Sequence, residues 1–241
     1  MLLYIRALLF YLGMAAATLI MVPVSILVLP LPYHKRFGIV SNWARFNLWW
    51  LGVVCNLHAD ISGTEHIPDG PCIIMCKHQS AWETLAMQLV FPPQVWITKR
   101  ELLWVPIYGW GLAAMQPIAI NRGSVVRALK QLVREGTARL QHGSWVIVFP
   151  EGTRTRPGER RKYHAGGGLL AEKSGFPIIP VAHNAGYFWP RNSFTKQPGV
   201  INMIIGRPIN VSDKKAEQII AEVEQWIETT VADLPQPSDK P

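Results

Sequence analysis

Short apolar runs that end in chemistry-bearing residues recur along this chain, with helical patterns between them. Cys72-Ile73-Ile74-Met75-Cys76, opened by Asp69-Gly70-Pro71, leads into Lys77-His78, and Trp145-Val146-Ile147-Val148 leads into Phe149-Pro150-Glu151. Uninterrupted apolar runs of this length suit buried strands. Between them, residues 125–141 place Val125, Leu129, Leu132, Val133 and Leu140 on one helical face and Arg127, Lys130, Arg134 and Arg139 largely away from it, the pattern of a surface helix. Further strands are expected at 57–63, 94–98, 178–184 and 200–205, with an amphipathic helix over 212–231 closing the fold. The alternation predicts an α/β fold: a mixed, largely parallel sheet flanked by helices. Active residues then belong where strand ends meet helix starts.

The N-terminus follows a different rule. No charged residue occurs over 7–32, a stretch long enough to cross a bilayer. The segment 37–57 mixes Trp43, Phe46, Trp49, Trp50, Leu51 and Val54 with Asn42, Arg45 and Asn47, which suits an interface. Arg6 precedes the first segment and Lys35 and Arg36 follow it, so a membrane-associated helical hairpin dipping into the cytoplasmic leaflet explains cations at both ends. A single span with an interfacial helix, or a buried core helix, stays open. The chain therefore divides into membrane-anchoring helices (1–57), a catalytic domain (58–234) and a polar, proline-rich tail (235–241) expected to be disordered.

Composition indicates the partner. Hydrophobic residues make up 49% and charged ones 17%, with a net charge of +8 and a pI near 9.6. That balance favours an anionic membrane surface. Nucleic acid is disfavoured, because the basic residues form no recognisable module with surface aromatics. Cys55, Cys72 and Cys76 have no metal-ligand spacing and read as reduced thiols in a cytoplasmic domain.

Lys77-His78-Gln79-Ser80-Ala81-Trp82-Glu83-Thr84 joins a general base to a carboxylate. Residues five apart on a regular helix are turned by roughly 140°, so His78 must lie in the turn before the helix. Ser80 is then the expected N-cap and Glu83 its third residue. Two roles for Glu83 stay open: a capping box with Ser80, or a carboxylate that fixes the tautomer of His78.

Phe149-Pro150-Glu151-Gly152-Thr153-Arg154 supplies a turn glycine, a hydroxyl and a guanidinium after a strand, the ingredients of an oxyanion or phosphate pocket. Together, His78 to Glu83 and Phe149 to Arg154 resemble the glycerolipid acyltransferase family. Its first block is His-x-x-x-x-Asp, matched here with Glu83 in the place of Asp. Gln116-Pro117-Ile118-Ala119-Ile120-Asn121-Arg122 and Ile178-Ile179-Pro180-Val181 fit its second and fourth blocks.

The resemblance implies transfer of a fatty acyl chain from a thioester, acyl-CoA or acyl carrier protein, to the sn-2 hydroxyl of lysophosphatidic acid. It implies no cofactor and no metal. His78 would be the base and Glu83 its orienter; Lys99, Arg122, Glu151, Gly152, Thr153 and Arg154 would bind substrate. A membrane location follows, the bacterial inner membrane with the catalytic domain facing the cytoplasm. The backbone N–H groups near Glu151-Gly152 or in the Ser80 turn are oxyanion candidates. The loop 156–162 with Gly166-Gly167-Gly168 is a further candidate for phosphate. Another lysophospholipid or an amino-acid lipid as acceptor, or a non-catalytic lipid binder, are the rival readings.

Overall fold

The computed structural model describes residues 1–121 and 123–236, so Arg122 and the last residues of the tail lie outside the described residues. Three helices open the chain: α1 (Leu2–Leu27), α2 (Tyr33–Val40) and α3 (Asn42–Cys55). The remainder runs β1 (Leu57–Ser62), β2 (Ile73–Cys76), α4 (Trp82–Val90), β3 (Gln94–Lys99), α5 (Tyr108–Ala114), β4 (Ile118–Ile120), α6 (Val125–Gln141) and β5 (Trp145–Val148). It ends with α7 (Gly166–Ser174), β6 (Ile178–His183), α8 (Ala185–Phe188), β7 (Gly199–Ile205) and α9 (Ala216–Asp233).

The strands form one sheet in the order β1-β7-β6-β2-β5-β3-β4. Pairing is parallel except between β6 and β7. The expected mixed, largely parallel sheet flanked by helices is therefore the observed fold. Every residue of β2, β5 and β6 is buried, which is why these strands read as unbroken apolar runs. Successive side chains alternate between faces. Ile74 and Cys76 pack with Leu51, Trp82 and Leu85 on one face; Ile73 and Met75 pack with Leu132, Leu170 and Ile219 on the other.

The N-terminal helices belong to that core. Phe10 of α1 and Leu51 and Cys55 of α3 are buried in the same cluster as Trp82 and Ile147. Gly13 makes the close approach possible, because a Cβ there would collide with the Trp50 indole, whose Nε1 donates to Leu9 O at 3.1 Å. The outer face is apolar and bare: Leu12, Leu19 and Ile20 are 59–67% exposed. Among the described residues, α1 is the one helix long and apolar enough to cross a membrane. One helix thus carries both an inner face that completes a soluble core and an outer face without a protein partner.

Three local expectations change. The helix after His78 starts at Trp82 rather than just after Ser80, although Ser80 Oγ still accepts from Trp82 N–H at 3.1 Å. Val125 is 71% exposed, while Leu132 and Leu140 form the buried stripe of α6. The glycines opening α7 are buried and pack closely, since a Cβ on Gly167 would strike Met75 and one on Gly168 the Ala216 carbonyl, while Gly166 and Gly167 also line the cavity described below.

Candidate active site

His78 stands two residues beyond the end of β2, held from several sides. Its Nδ1 lies 2.8 Å from Glu83 Oε1, and the ring is stacked on Phe149 with centroids 3.9 Å apart. Its backbone N–H donates to Glu151 Oε1 at 3.3 Å, and its carbonyl accepts from Thr155 N–H at 2.7 Å. Residues 149–155 therefore grip both the ring and the main chain of the histidine. Among the described residues Nε2 has no hydrogen-bond partner, and His78 lines a cavity of about 770 Å³.

Glu83 meets both His78 and the backbone of the turn, but not as a capping box on Ser80, because Ala81 is the N-cap. Its Oε1 accepts from Gln79 N–H at 3.0 Å and Ser80 N–H at 2.9 Å as well as facing His78. Glu83 is fully buried, which by itself pushes its carboxyl up, yet nearby His183 and the hydrogen bonds from His78 and Ser80 N–H bring it net below its ordinary range. An ionised carboxylate on Nδ1 holds the proton there and leaves Nε2 as the lone-pair nitrogen facing the cavity. Glu83 carries one methylene more than Asp, and the contact is made all the same. His183 sits behind this pair, its Nε2 3.8 Å from Glu83 Oε2 and 2.8 Å from Lys77 O, with its Nδ1 3.2 Å from Ala185 N.

Of the other residues marked in the sequence, Lys99, Gly152, Thr153 and Arg154 line the same cavity as His78. Gly152 has φ +66°, a left-handed turn that brings this backbone against His164. Glu151 does not line the cavity. It is buried beneath His78, with Oε1 3.5 Å from the Lys77 ammonium, and Lys77 in turn meets Glu228 at 2.6 Å. Burial raises the Glu151 carboxyl to about 7, Lys77 opposing that rise. Glu151 thus supports the histidine backbone instead of touching a ligand. Arg122 lies outside the described residues.

Three of the oxyanion candidates are engaged: Gln79 and Ser80 N–H serve Glu83, and Gly152 N–H donates to Phe149 O at 3.0 Å. The basic loop also turns elsewhere, since Arg160 pairs with Glu224 and Arg161 with Glu159, and neither lines the cavity.

The cavity itself is polarised. Lys99, Arg154 and Arg191 are its charged lining among the described residues, and no Asp or Glu joins them. Much of the remaining lining is apolar, including Met21 and Val22 of α1, Leu112 of α5 and the following Met115, and Leu129 and Leu132 of α6. A base in a cavity lined by both cations and apolar side chains suits a ligand with an anionic head and a hydrocarbon tail. Arg191 gave no sequence signal, because it lies in a loop beyond all the matched blocks. Thr155 was missed although it directly follows Arg154.

Fold and site define an acyltransferase, and comparison with known proteins agrees: the family model described as Acyltransferase matches residues 58–184, and this chain belongs to that family. It is 42% identical over 236 residues to the 1-acyl-sn-glycerol-3-phosphate acyltransferase of Pseudomonas aeruginosa, covering 95% of this chain and 91% of that one. A protein of the same name from Cocos nucifera is 27% identical over 96% of this chain and 75% of its own. The crystal structure of the 1-acyl-sn-glycerophosphate (LPA) acyltransferase PlsC from Thermotoga maritima shares the fold, with a TM-score of 0.80 over 98% of this chain and 97% of that one at 23% identity.

Proposed function

We propose that the protein transfers a fatty acyl chain from an acyl thioester to the sn-2 hydroxyl of 1-acylglycerol-3-phosphate, giving phosphatidic acid for phospholipid synthesis. The observation that carries this reading is the oriented base: His78, backed by Glu83, lines a cavity whose charged lining, among the described residues, is cationic. The Pseudomonas relative's name supports the choice of acceptor.

His78 Nε2 takes the hydroxyl proton as that oxygen attacks the thioester carbonyl, and the resulting imidazolium is stabilised by Glu83. Collapse of the tetrahedral intermediate breaks the C–S bond, and the imidazolium returns the proton to the leaving thiolate. The products are the ester and a free thiol, so no external oxidant, reductant or metal enters the balance. Lys99 and Arg154, with Arg122 from the matched block, bind the acceptor's phosphate, Arg through its bidentate fork. Acyl chains occupy the apolar part of the cavity, and the bare face of α1 lies in the membrane that supplies the lipid. Acyl-CoA and acyl carrier protein are equivalent at the reacting carbonyl.

The test is purified protein in mixed micelles with lysophosphatidate and radiolabelled acyl-CoA, then with lysophosphatidylcholine and lysophosphatidylethanolamine. Labelled phosphatidate formed with lysophosphatidate far faster than product from the other two supports the reading. A preference for either zwitterionic, phosphodiester-bearing rival removes the phosphate monoester from the proposal.

A further inference from the structure

The loop between α8 and β7 connects the cavity to α1. At one end Arg191 lines the cavity and its Nη1 donates to Arg154 O at 3.0 Å. Asn192 has φ +61°, a left-handed conformation that asparagine tolerates, and it reverses the chain. Beyond that turn the side chains point at α1. Phe194 stacks on Tyr11, with centroids 5.2 Å apart, and on Tyr4 at 6.2 Å.

Lys196 closes the loop. It is 1% exposed, and its Nζ lies 3.4 Å from the Tyr11 ring centroid, 4.8 Å from Phe10 and 4.7 Å from Trp189. Among the described residues it has no carboxylate partner and its one hydrogen bond goes to Phe194 O at 2.9 Å. A buried ammonium without a counter-ion is expensive, and aromatic faces are the compensation available to it. Burial pushes the Lys196 ammonium down to about 7. A loop that only had to cross the surface has no need of such a group. A loop that must be fixed to α1 at one end and present a cation at the other does.

We propose that Arg191 is a further ligand of the acceptor's phosphate, and that Lys196, caged by α1, is the positioning residue that holds the loop so that Arg191 stays beside Arg154. The first part rests on the proposed acceptor. The second does not, because it concerns how one residue places the other.

The experiment is a double-mutant cycle on the full-length protein in mixed micelles, reading the Michaelis constants of lysophosphatidate and acyl-CoA separately. Loss of one charge-assisted contact predicts that Arg191→Met raises the acceptor constant about tenfold or more. Lys196→Met should raise the same constant about three- to tenfold, and the double variant should be no worse than Arg191→Met alone, because coupled residues are non-additive. Should Lys196→Met fail to fold, Phe194→Leu keeps the lysine and loosens the stack on Tyr4 and Tyr11. It should give a smaller rise that likewise vanishes in the Arg191→Met background. Effects that multiply overturn the positioning role. Unchanged constants in Arg191→Met overturn its role as a ligand, and a rise confined to acyl-CoA reassigns the anion to the donor while the additivity still decides Lys196.

Discussion

Phe149 lies flat against His78, ring centroids 3.9 Å apart and planes within 17°. Two stretches about seventy residues apart in sequence thus meet as one object, and the ring plane of the base is set by the strand end that also carries Arg154. Stacking of this kind is worth about 0.5–1.5 kcal/mol. Phe149→Leu is therefore expected to lower kcat by about two- to tenfold with little change in either Michaelis constant, read by steady-state kinetics with each substrate saturating in turn.

His78→Ala removes the base and should lower turnover by about 10²- to 10⁴-fold while leaving thermal stability and membrane binding near those of the parent. Glu83→Gln divides differently. The amide oxygen can still accept from Ser80 N–H, but the charge that stabilises imidazolium is gone, so a loss of turnover larger than any loss of Tm is expected. Full activity in Glu83→Gln would reduce Glu83 to a helix-capping residue.

Arg154 tests the anion. Losing a charge-assisted hydrogen bond at about 1.5–3 kcal/mol predicts that Arg154→Ala raises the lysophosphatidate Michaelis constant by about ten- to a hundredfold, and that Arg154→Lys recovers only part of it because the fork is lost. Competition by phosphatidate-like anions should weaken in parallel. If acyl-CoA affinity falls instead, the cationic lining belongs to the donor.

Glu151 supplies the pH test. Its folded-state carboxyl is raised to about 7, so between the ordinary carboxylate range and that value the folded protein holds a proton that the unfolded chain has lost. Stability from this group is full at low pH and is lost as pH rises through about 7, by an amount on the order of 1–3 kcal/mol. Glu151→Gln cannot titrate. Its Tm, scanned from pH 5 to 8, should lack the decline that the parent shows; parallel curves would remove Glu151 as the cause.

Membrane attachment should follow the bare face of α1. Deleting residues 1–57 would strip Phe10, Leu51 and Cys55 from the core, so the expected product of that truncation is an unstable chain rather than a soluble enzyme. Replacing exposed Leu12, Leu19 and Ile20 with serine leaves the core untouched and removes apolar area from the bare face of α1. Such a variant should leave the membrane pellet at high salt with its Tm little changed, measured by flotation and calorimetry. Retention in the pellet would place the attachment on the exposed Trp104 and Trp110 instead.

The sequence by itself determined what local patterns determine. Runs of apolar residues fixed the central strands because both faces of β2, β5 and β6 are covered, and the spacing of His78 and Glu83 placed the base ahead of a helix. Compact motif blocks also marked Gly152, Thr153 and Arg154. What the tertiary structure decided was direction and partnership, which depend on residues far apart in the chain. Glu151 belongs to a motif yet turns inward, because Lys77, before it in the chain, and Glu228, well after it, build a buried polar site beneath His78. The apolar N-terminus proved two-faced, since one side of α1 packs on elements that only the folded sheet brings near it. Arg191 and Lys196 had no pattern to betray them. Their roles arise where a loop crosses from the cavity to α1, and a contact between segments separated by most of the chain leaves no periodicity for a sequence to display.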